Sequence, residues 1–318
     1  MLAARSRTEL LAFLALLVMT AAWGSTFFLI KDVVTRIPVT DLLAIRFAIA
    51  SVALALIAAP RLRNLGGSAR AMPTLAAREN FRRALTYGVL LGLLYGSAQI
   101  LQTAGLAHTA ASVSGFVTGL YVVVTPLLTA LLLRRRIPHL TWLAAILATV
   151  GLGVLALHGF ALGYGELLTL VAAVIYAGHI VALGRFSTPE TTLCLSLVQL
   201  IVITLVSAVA AWWPTAGSGA GIQLPDSTGD WLIVLYLALI ASAMTMVLQT
   251  WAQAHIEPSR AAVIMAMEPV WAAAFAVALG GETITPRMII GGLAIVSAMY
   301  LVERPRGHRT QAPSREYV

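Results

Sequence analysis

The stretch "LQTAGLAH", residues 101–108, returns as "LQTWAQAH" at residues 248–255. Leucine, glutamine, threonine, alanine and histidine recur in register at a separation of 147 residues, just under half of the 318-residue chain. Ser112 and Ser259 extend the match. Self-similarity at a fixed separation indicates that one structural unit occurs twice.

The composition is that of a membrane protein. The chain is 59% hydrophobic and 11% charged, with a mean hydropathy of +0.89, whereas soluble domains carry about 25% charged residues. Residues 84–133 and 191–225 contain no Asp, Glu, Lys or Arg. A helix needs roughly 20 apolar residues to cross a bilayer, and these runs are too uniformly apolar for the alternating strands of a barrel. The sequence therefore predicts an all-α integral membrane protein.

Apolar segments predict ten transmembrane helices. The first has basic residues before it but is longer than the apolar core of a signal peptide, so we expect it to be retained. The predicted spans use about two thirds of the chain and leave no room for a separate soluble domain. They lie near residues 10–30, 40–60, 84–105, 111–133, 138–158, 166–184, 191–213, 231–254, 260–280 and 286–302.

The basic residues predict the orientation of the chain. Seventeen arginines lie in the N-terminus, in the loops after helices 2, 4, 6 and 8, and in the C-terminus, against Lys31, Arg36 and Arg287 on the other face. Positive charge accumulates on the cytoplasmic side, so both termini are expected to be cytoplasmic, in the inner (plasma) membrane. The net charge of +8 then reports topology and contact with anionic lipids, and indicates no nucleic-acid partner.

The two copies of the repeated motif fall in the third and eighth predicted helices, so each half holds five helices. An odd number of crossings inserts the second half upside down, which gives two inverted five-helix repeats. The glycine-rich connector "GFALGYG" at 159–165 suggests repeats at 1–160 and 161–318. Pro126 and Pro269 are predicted to interrupt matching helices, either as harmless kinks or as gating elements near a midplane site.

Polar and aromatic residues within the spans are the candidate substrate contacts. Their amides and rings would be costly against lipid and are expected to face inward; for glutamines such as Gln102 and Gln249, ties between helices fit the pattern as well as substrate contact does. A cavity of aromatics with a few amides suits a zwitterion with an apolar side chain. The candidates are Trp23, Phe27, Tyr95, Gln99, Gln102, Tyr121, Tyr176, His179 and Gln249.

Two charged residues lie inside predicted spans, where charge must face protein or water. Glu268 is expected either to cap freed backbone or pair with a neighbouring helix, or to act as a proton-coupling carboxylate. Arg46 is expected to form an interhelical ion pair or to reach toward a membrane surface, with attraction of a substrate carboxylate as the alternative.

Four stretches resemble the drug/metabolite transporter superfamily, in particular its ten-helix EamA-type members. They are "WGSTFFLIK" (23–31), "PVTDLLAIRF" (38–47), "MEPVWAA" (267–273) and "GGETIT" (280–285). "RRRIPH" (134–139) departs from the pattern, because many relatives show Gly-Glu there. The resemblance implies an exporter of amino acids or related small metabolites, similar to the YddG-type amino acid exporters.

Rival functions fit the sequence less well. The only lysine, Lys31, follows no phosphate-binding loop, so ATP-driven pumping is excluded. Scattered histidines without metal-ligand spacing argue against an enzyme and against a metal or other cofactor. We expect alternating-access export of amino acids, aromatic or apolar ones favoured, with protons as a possible coupling partner. An exporter of drugs or other metabolites is the alternative, ahead of a channel.

Overall fold

The computed structural model describes residues 7–66, 75–109, 111–134, 136–156, 163–212, 222–280 and 283–303. Regular structure in these ranges is entirely helical, as the composition predicted. A π-helical segment, Leu239–Met244, joins α10 to α11. The α-helices are α1 (Arg7–Gly24), α2 (Thr26–Val33), α3 (Val39–Gly66), α4 (Leu75–His108), α5 (Ala111–Gly119), α6 (Tyr121–Leu132), α7 (His139–Ala156), α8 (Tyr164–Phe186), α9 (Thr192–Ala211), α10 (Thr228–Ala238), α11 (Thr245–Gln253), α12 (Pro258–Met265), α13 (Glu268–Gly280) and α14 (Pro286–Glu303).

Seven helical segments within the described ranges are long and apolar enough to cross a bilayer. Two shorter apolar helices, His139–Val154 and Pro286–Val302, match the fifth and tenth predicted spans. The predicted ninth span is divided between α12 and α13. The protein is therefore a polytopic helical membrane protein. The seven long segments are Arg7–Val33, Val39–Pro60, Phe81–His108, Val113–Leu132, Tyr164–Phe186, Thr192–Ala211 and Thr228–Gln253.

Several spans are broken near the middle of the bundle. The first changes from α1 to α2 at Ser25, and the fourth changes from α5 to α6 at Leu120. Ser25 Oγ lies 2.5 Å from the Tyr236 hydroxyl, so a side chain from α10 supports the first break. Backbone bonds of the tighter i→i+3 kind, such as Leu120 N to Val117 O at 3.2 Å, close the second.

The prediction that Pro126 and Pro269 interrupt their helices is wrong in its local detail. Pro126 lies inside the continuous helix α6, and the break falls six residues earlier. Pro269 occupies the first turn of α13, where no intrahelical partner for an N–H exists, so its ring costs no hydrogen bond there. Both prolines therefore lie just after a break.

Small residues set the spacing of the central helices. α4 packs against both α8 and α9, α3 packs against α9, and α7 packs against α14. Along α4, a methyl group at Gly88 or Gly92 would lie within 2.7 Å of the side chain of Val198 or Val202. Close approach of this kind is a common basis of helix association in lipid. Large apolar side chains cover the outside instead, as at Leu131, which is 73% exposed.

We predict that Gly92→Ala destabilises the protein and that Gly96→Ala does not. A Cβ at position 92 would lie 2.6 Å from the Cβ of Val202, whereas at position 96 the nearest atom is at an ordinary 3.5 Å. Overpacking costs about 1–3 kcal/mol, so the midpoint of thermal unfolding in detergent should fall only for Gly92→Ala. Equal midpoints for the two variants would contradict the packing of α4 on α9.

Candidate functional site

A cavity lined by aromatic and polar side chains lies inside the bundle. All nine predicted substrate contacts and Glu268 line it, although they come from seven helices far apart in sequence. Pro126 and Pro269 do not line it. The remaining lining residues are Thr26, Ile30, Arg46, Thr103, Leu106, Thr118, Ile180 and Met265.

Tyr95 of α4 is the hub of an aromatic cluster at this cavity. Its ring centroid lies 6.5 Å from that of Trp23, 5.6 Å from Tyr176 and 5.1 Å from His179. Phe47 packs behind it, edge to face at 6.4 Å. Tyr95 is 2% exposed, so the cluster holds the ring rigidly. Offset and edge-to-face contacts stabilise such pairs beyond the area they bury.

Gln102, from the first copy of the repeated motif, ties three helices together. Its Oε1 accepts a hydrogen bond from the hydroxyl of Tyr176 at 2.8 Å, and its Nε2 donates to Thr118 Oγ1 at 3.1 Å. The neighbouring Gln99 donates from Nε2 to the Tyr95 hydroxyl at 3.1 Å. Gln102 thus serves as a tie between helices and as part of the cavity wall at once.

The second copy of the motif differs in its bonding. Gln249 lines the cavity, but its Oε1 is buried without a hydrogen-bond partner. Gln253, one turn further along α11, is 2% exposed and has neither amide atom partnered. Both side chains face inward, as predicted. Unpartnered buried amides are rare because each costs free energy; Gln249 lines the cavity, whereas Gln253 is not among its lining residues.

His179 lines the cavity and has one ring nitrogen without a partner. The amide of Gln199 is oriented by donation from Nε2 to the Leu195 carbonyl at 3.2 Å. Its Oε1 can then only accept, so the His179 Nε2–H donates to it at 2.9 Å. The proton of the neutral ring is thereby assigned to Nε2. Nδ1 keeps a lone pair, is buried and has no partner.

Glu268 is the first residue of α13 and is 7% exposed. Within the described ranges no hydrogen bond or ion pair joins its carboxylate to the protein, contrary to the expected capping or pairing role. The backbone at this break satisfies itself, through Met267 N to Ile264 O and Trp271 N to Met267 O, both at 3.1 Å. The carboxylate is therefore free to face the cavity, where the Tyr121 hydroxyl is also unpartnered.

Arg46 contradicts both structural expectations, because it is 2% exposed and has no carboxylate partner among the described residues. Its Nε donates to Ser242 Oγ at 2.6 Å and its Nη2 to the Ala241 carbonyl at 3.2 Å. Both acceptors lie in the π-helical segment. The sequence favoured an ion pair or a membrane surface for Arg46 over substrate contact, and its periodicity does not reveal the π-helical turn that holds this side chain.

One end of the bundle carries a separate polar network. Lys31 Nζ donates to the Leu106 and Thr109 carbonyls, and the Thr109 hydroxyl donates to Glu166. Beside it, Arg36 donates to Asp32 and to Asp230, each at 2.7 Å. Hydrogen bonds from Arg36 to these two carboxylates raise the pKa of Arg36, which lies in the loop after α2 and stays charged. The network joins α2, α4, α8 and α10.

A polytopic helical bundle with an internal polar cavity is an architecture of membrane transporters. Comparison with known proteins identifies the kind. The sequence pattern of the EamA-like transporter family matches residues 10–157 and again residues 163–304. The chain belongs to the EamA-like transporter family, and it is a membrane transporter rather than an enzyme.

Individual proteins agree with this assignment. An uncharacterized transporter of Archaeoglobus fulgidus is 28% identical over 295 residues, which span 92% of this chain and 86% of the relative. A protein of known crystal structure superposes with a TM-score of 0.72 over 98% of this chain and 100% of its own length, at 21% identity. The second likeness concerns the fold alone.

We predict that two isosteric changes differ in their effect on stability. Glu268→Gln should leave the thermal unfolding midpoint unchanged or raised, because the carboxylate has no partner to lose among the described residues. Glu166→Gln should lower the midpoint, through a loss of about 1 kcal/mol in the free energy of unfolding. Glu166 accepts hydrogen bonds from Thr109 and from Gly163 N, the latter at 2.9 Å. A larger loss for Glu268→Gln than for Glu166→Gln in a thermal melt would contradict the unpaired state of Glu268.

Proposed function

We propose that this transporter exports amino acids, with apolar or aromatic side chains favoured, across the inner membrane by alternating access. The observation that carries the proposal is the cavity content: an aromatic wall, neutral amides, one carboxylate (Glu268) and one guanidinium (Arg46). Neither charge has a counter-ion among the described residues. A zwitterion with an apolar side chain offers a complement to each of these features.

Two inverted five-helix repeats, 1–160 and 161–318, are part of the proposal. The packing supports it, since inversion would exchange helix pairs. α4 on α8 would correspond to α11 on α1, and the pairs α7–α14 and α3–α9 would each map onto themselves; all four contacts occur. The double match of the family at 10–157 and 163–304 supports the same division.

In this mechanism substrate binds between the halves, and the halves then reorient to open the other face. The network of Lys31, Arg36, Glu166 and Asp230 closes one end of the bundle and has to open in part of the cycle. The charge asymmetry of the loops supports the outer side for this end, with both termini cytoplasmic. Pro126 and Pro269, each just after a break, are proposed to help their helices bend.

Export of other metabolites or of drugs is the second candidate. The aromatic cluster around Tyr95 together with an unpaired Glu268 also suits an organic cation, which rings attract through their π faces. The two candidates differ in whether the substrate must carry a carboxylate, so one panel of compounds separates them.

We predict that purified protein in liposomes exchanges labelled amino acids in counterflow, with saturable rates. Saturation is expected because each cycle carries the substrate held in one cavity. Empty liposomes provide the control. A lack of exchange across a broad amino-acid panel would reject this substrate class, and a flux linear in concentration would indicate a channel.

If Glu268 carries the coupled proton, we predict that Glu268→Gln abolishes the response of uphill transport to an imposed pH gradient. Substrate exchange should persist, because exchange needs no net proton movement. Uptake would be measured at several internal and external pH values. Glu79→Gln is the matched control, since Glu79 is an exposed glutamate paired with Arg83 at 2.5 Å. An unaltered pH response in Glu268→Gln would assign proton coupling to another group.

A further inference from the structure

Arg46 is bound by the protein through only part of its guanidinium. Nε and Nη2 use one N–H each, toward Ser242 and Ala241. The group has five N–H donors in a planar fork, and no other hydrogen bond or ion pair joins it to the described residues. It packs 5.0 Å from the centroid of the Phe47 ring. A buried cation in the cavity wall therefore retains unused donors.

The π-helical segment explains why Arg46 is held this way. Ser242 Oγ donates to the Leu237 carbonyl at 2.8 Å, so its remaining lone pairs accept from Arg46. The Ala241 carbonyl accepts from Arg46, from the Thr245 hydroxyl at 2.8 Å and from the Trp23 indole at 3.1 Å. π-helical turns occur frequently at functional sites because they shift the backbone bonding pattern. Here the turn orients a cation and an aromatic wall residue together.

Both acceptors on the π-helical segment are neutral, and no ion pair joins Arg46 to a carboxylate among the described residues. An unpaired buried cation is costly in any protein interior and more so within lipid. Guanidinium groups match carboxylates in geometry and bind them with two parallel hydrogen bonds. A carboxylate entering the cavity would neutralise the charge and use the free donors.

Three of the other groups at the cavity have the opposite character, and the unpartnered Tyr121 hydroxyl can both donate and accept. His179 Nδ1 and Gln249 Oε1 are buried acceptors without partners, and the Glu268 carboxylate only accepts when ionised. The cavity thus has a donor at one position and a group of acceptors at others, which matches a molecule with separate anionic and cationic groups.

We propose that Arg46 binds the α-carboxylate of the substrate, held in place by the π-helical segment, and so restricts transport to amino acids with a free carboxylate. This proposal rests on the proposed function and names the feature of the substrate that the site selects. Glu268, His179 and Gln249 receive the ammonium group.

The first test uses the unmodified protein. In proteoliposomes counterflowing a transported amino acid, an excess of the same amino acid, of its amide or of its deaminated acid is added. The amide lacks the carboxylate and should compete at least about tenfold less well, which corresponds to about 1.4 kcal/mol. An amide that competes as well as the amino acid overturns the role of Arg46 even though amino-acid transport is intact.

Variants give the second test, read as a ratio of competition constants for amino acid and amide. Arg46→Gln should reduce this ratio to near one, and Arg46→Lys should reduce it partly because a point charge replaces the fork. Ser242→Ala removes the Nε acceptor and should act in the same direction. Arg83→Gln, an exposed arginine paired with Glu79, is the matched control and should keep the wild-type ratio.

The outcomes separate the two proposals. No exchange of any amino acid by the unmodified protein rejects the proposed function. Exchange with a wild-type ratio in Arg46→Gln rejects the role of Arg46 alone. If Arg46→Gln does not fold, the competition series on the unmodified protein still decides, together with Arg46→Lys. A deaminated acid that competes as well as the amino acid would support Arg46 and overturn the ammonium contacts.

Discussion

The satisfaction of buried polar groups within lipid is the constraint on which this structure depends. Water cannot reach backbone or side-chain dipoles inside the bilayer, so each must find a partner within the bundle. The broken spans meet this demand locally. At the break between α12 and α13 the main chain closes its own hydrogen bonds, and in the π-helical segment one carbonyl, that of Ala241, accepts from three side chains. The breaks of the first, fourth and ninth spans lie beside the cavity, whose lining includes Thr26, Tyr121 and Glu268.

The same constraint makes the exceptions informative. Most polar groups in the spans are paired, as Gln102 is with Tyr176 and Thr118. Several are not paired, and those at the cavity are His179 Nδ1, Gln249 Oε1, the Tyr121 hydroxyl and the Glu268 carboxylate, together with the partly bonded Arg46. Others, such as Ser207 Oγ and Trp271 Nε1, belong to residues that do not line it. Stability alone would favour apolar replacements for such groups. Their cost is the kind that proteins sustain at binding sites, where a ligand supplies the missing partners.

Rigidity and movement are divided between different contacts. α4 and α9 pack closely at Gly88 and Gly92. A larger side chain at either position would clash with α9 and push the two helices apart. At the end of the bundle, the pair of Arg36 with Asp32 is exposed and contributes little free energy, whereas the Asp230 side chain that Arg36 also binds is only 9% exposed. In the proposed mechanism this end opens while the glycine contacts of α4 on α9 stay packed.

The sequence by itself determined the membrane class, the helical content and the inward direction of the polar residues. The free-energy cost of exposing a polar group to lipid depends on the residue alone, so apolar runs and the lone amides within them can be interpreted without knowing any partner. The nine substrate-contact candidates and Glu268 were found in this way, and all of them line one cavity. The tertiary structure alone decided how they are bonded. Gln102 is hydrogen-bonded whereas Oε1 of its counterpart Gln249 is not, Pro126 leaves its helix intact, and Arg46 rests on a π-helical turn. These features are consequences of contacts between helices up to about two hundred residues apart. Hydropathy and spacing carry no information about such contacts, because they record what each residue avoids and not which partner it meets.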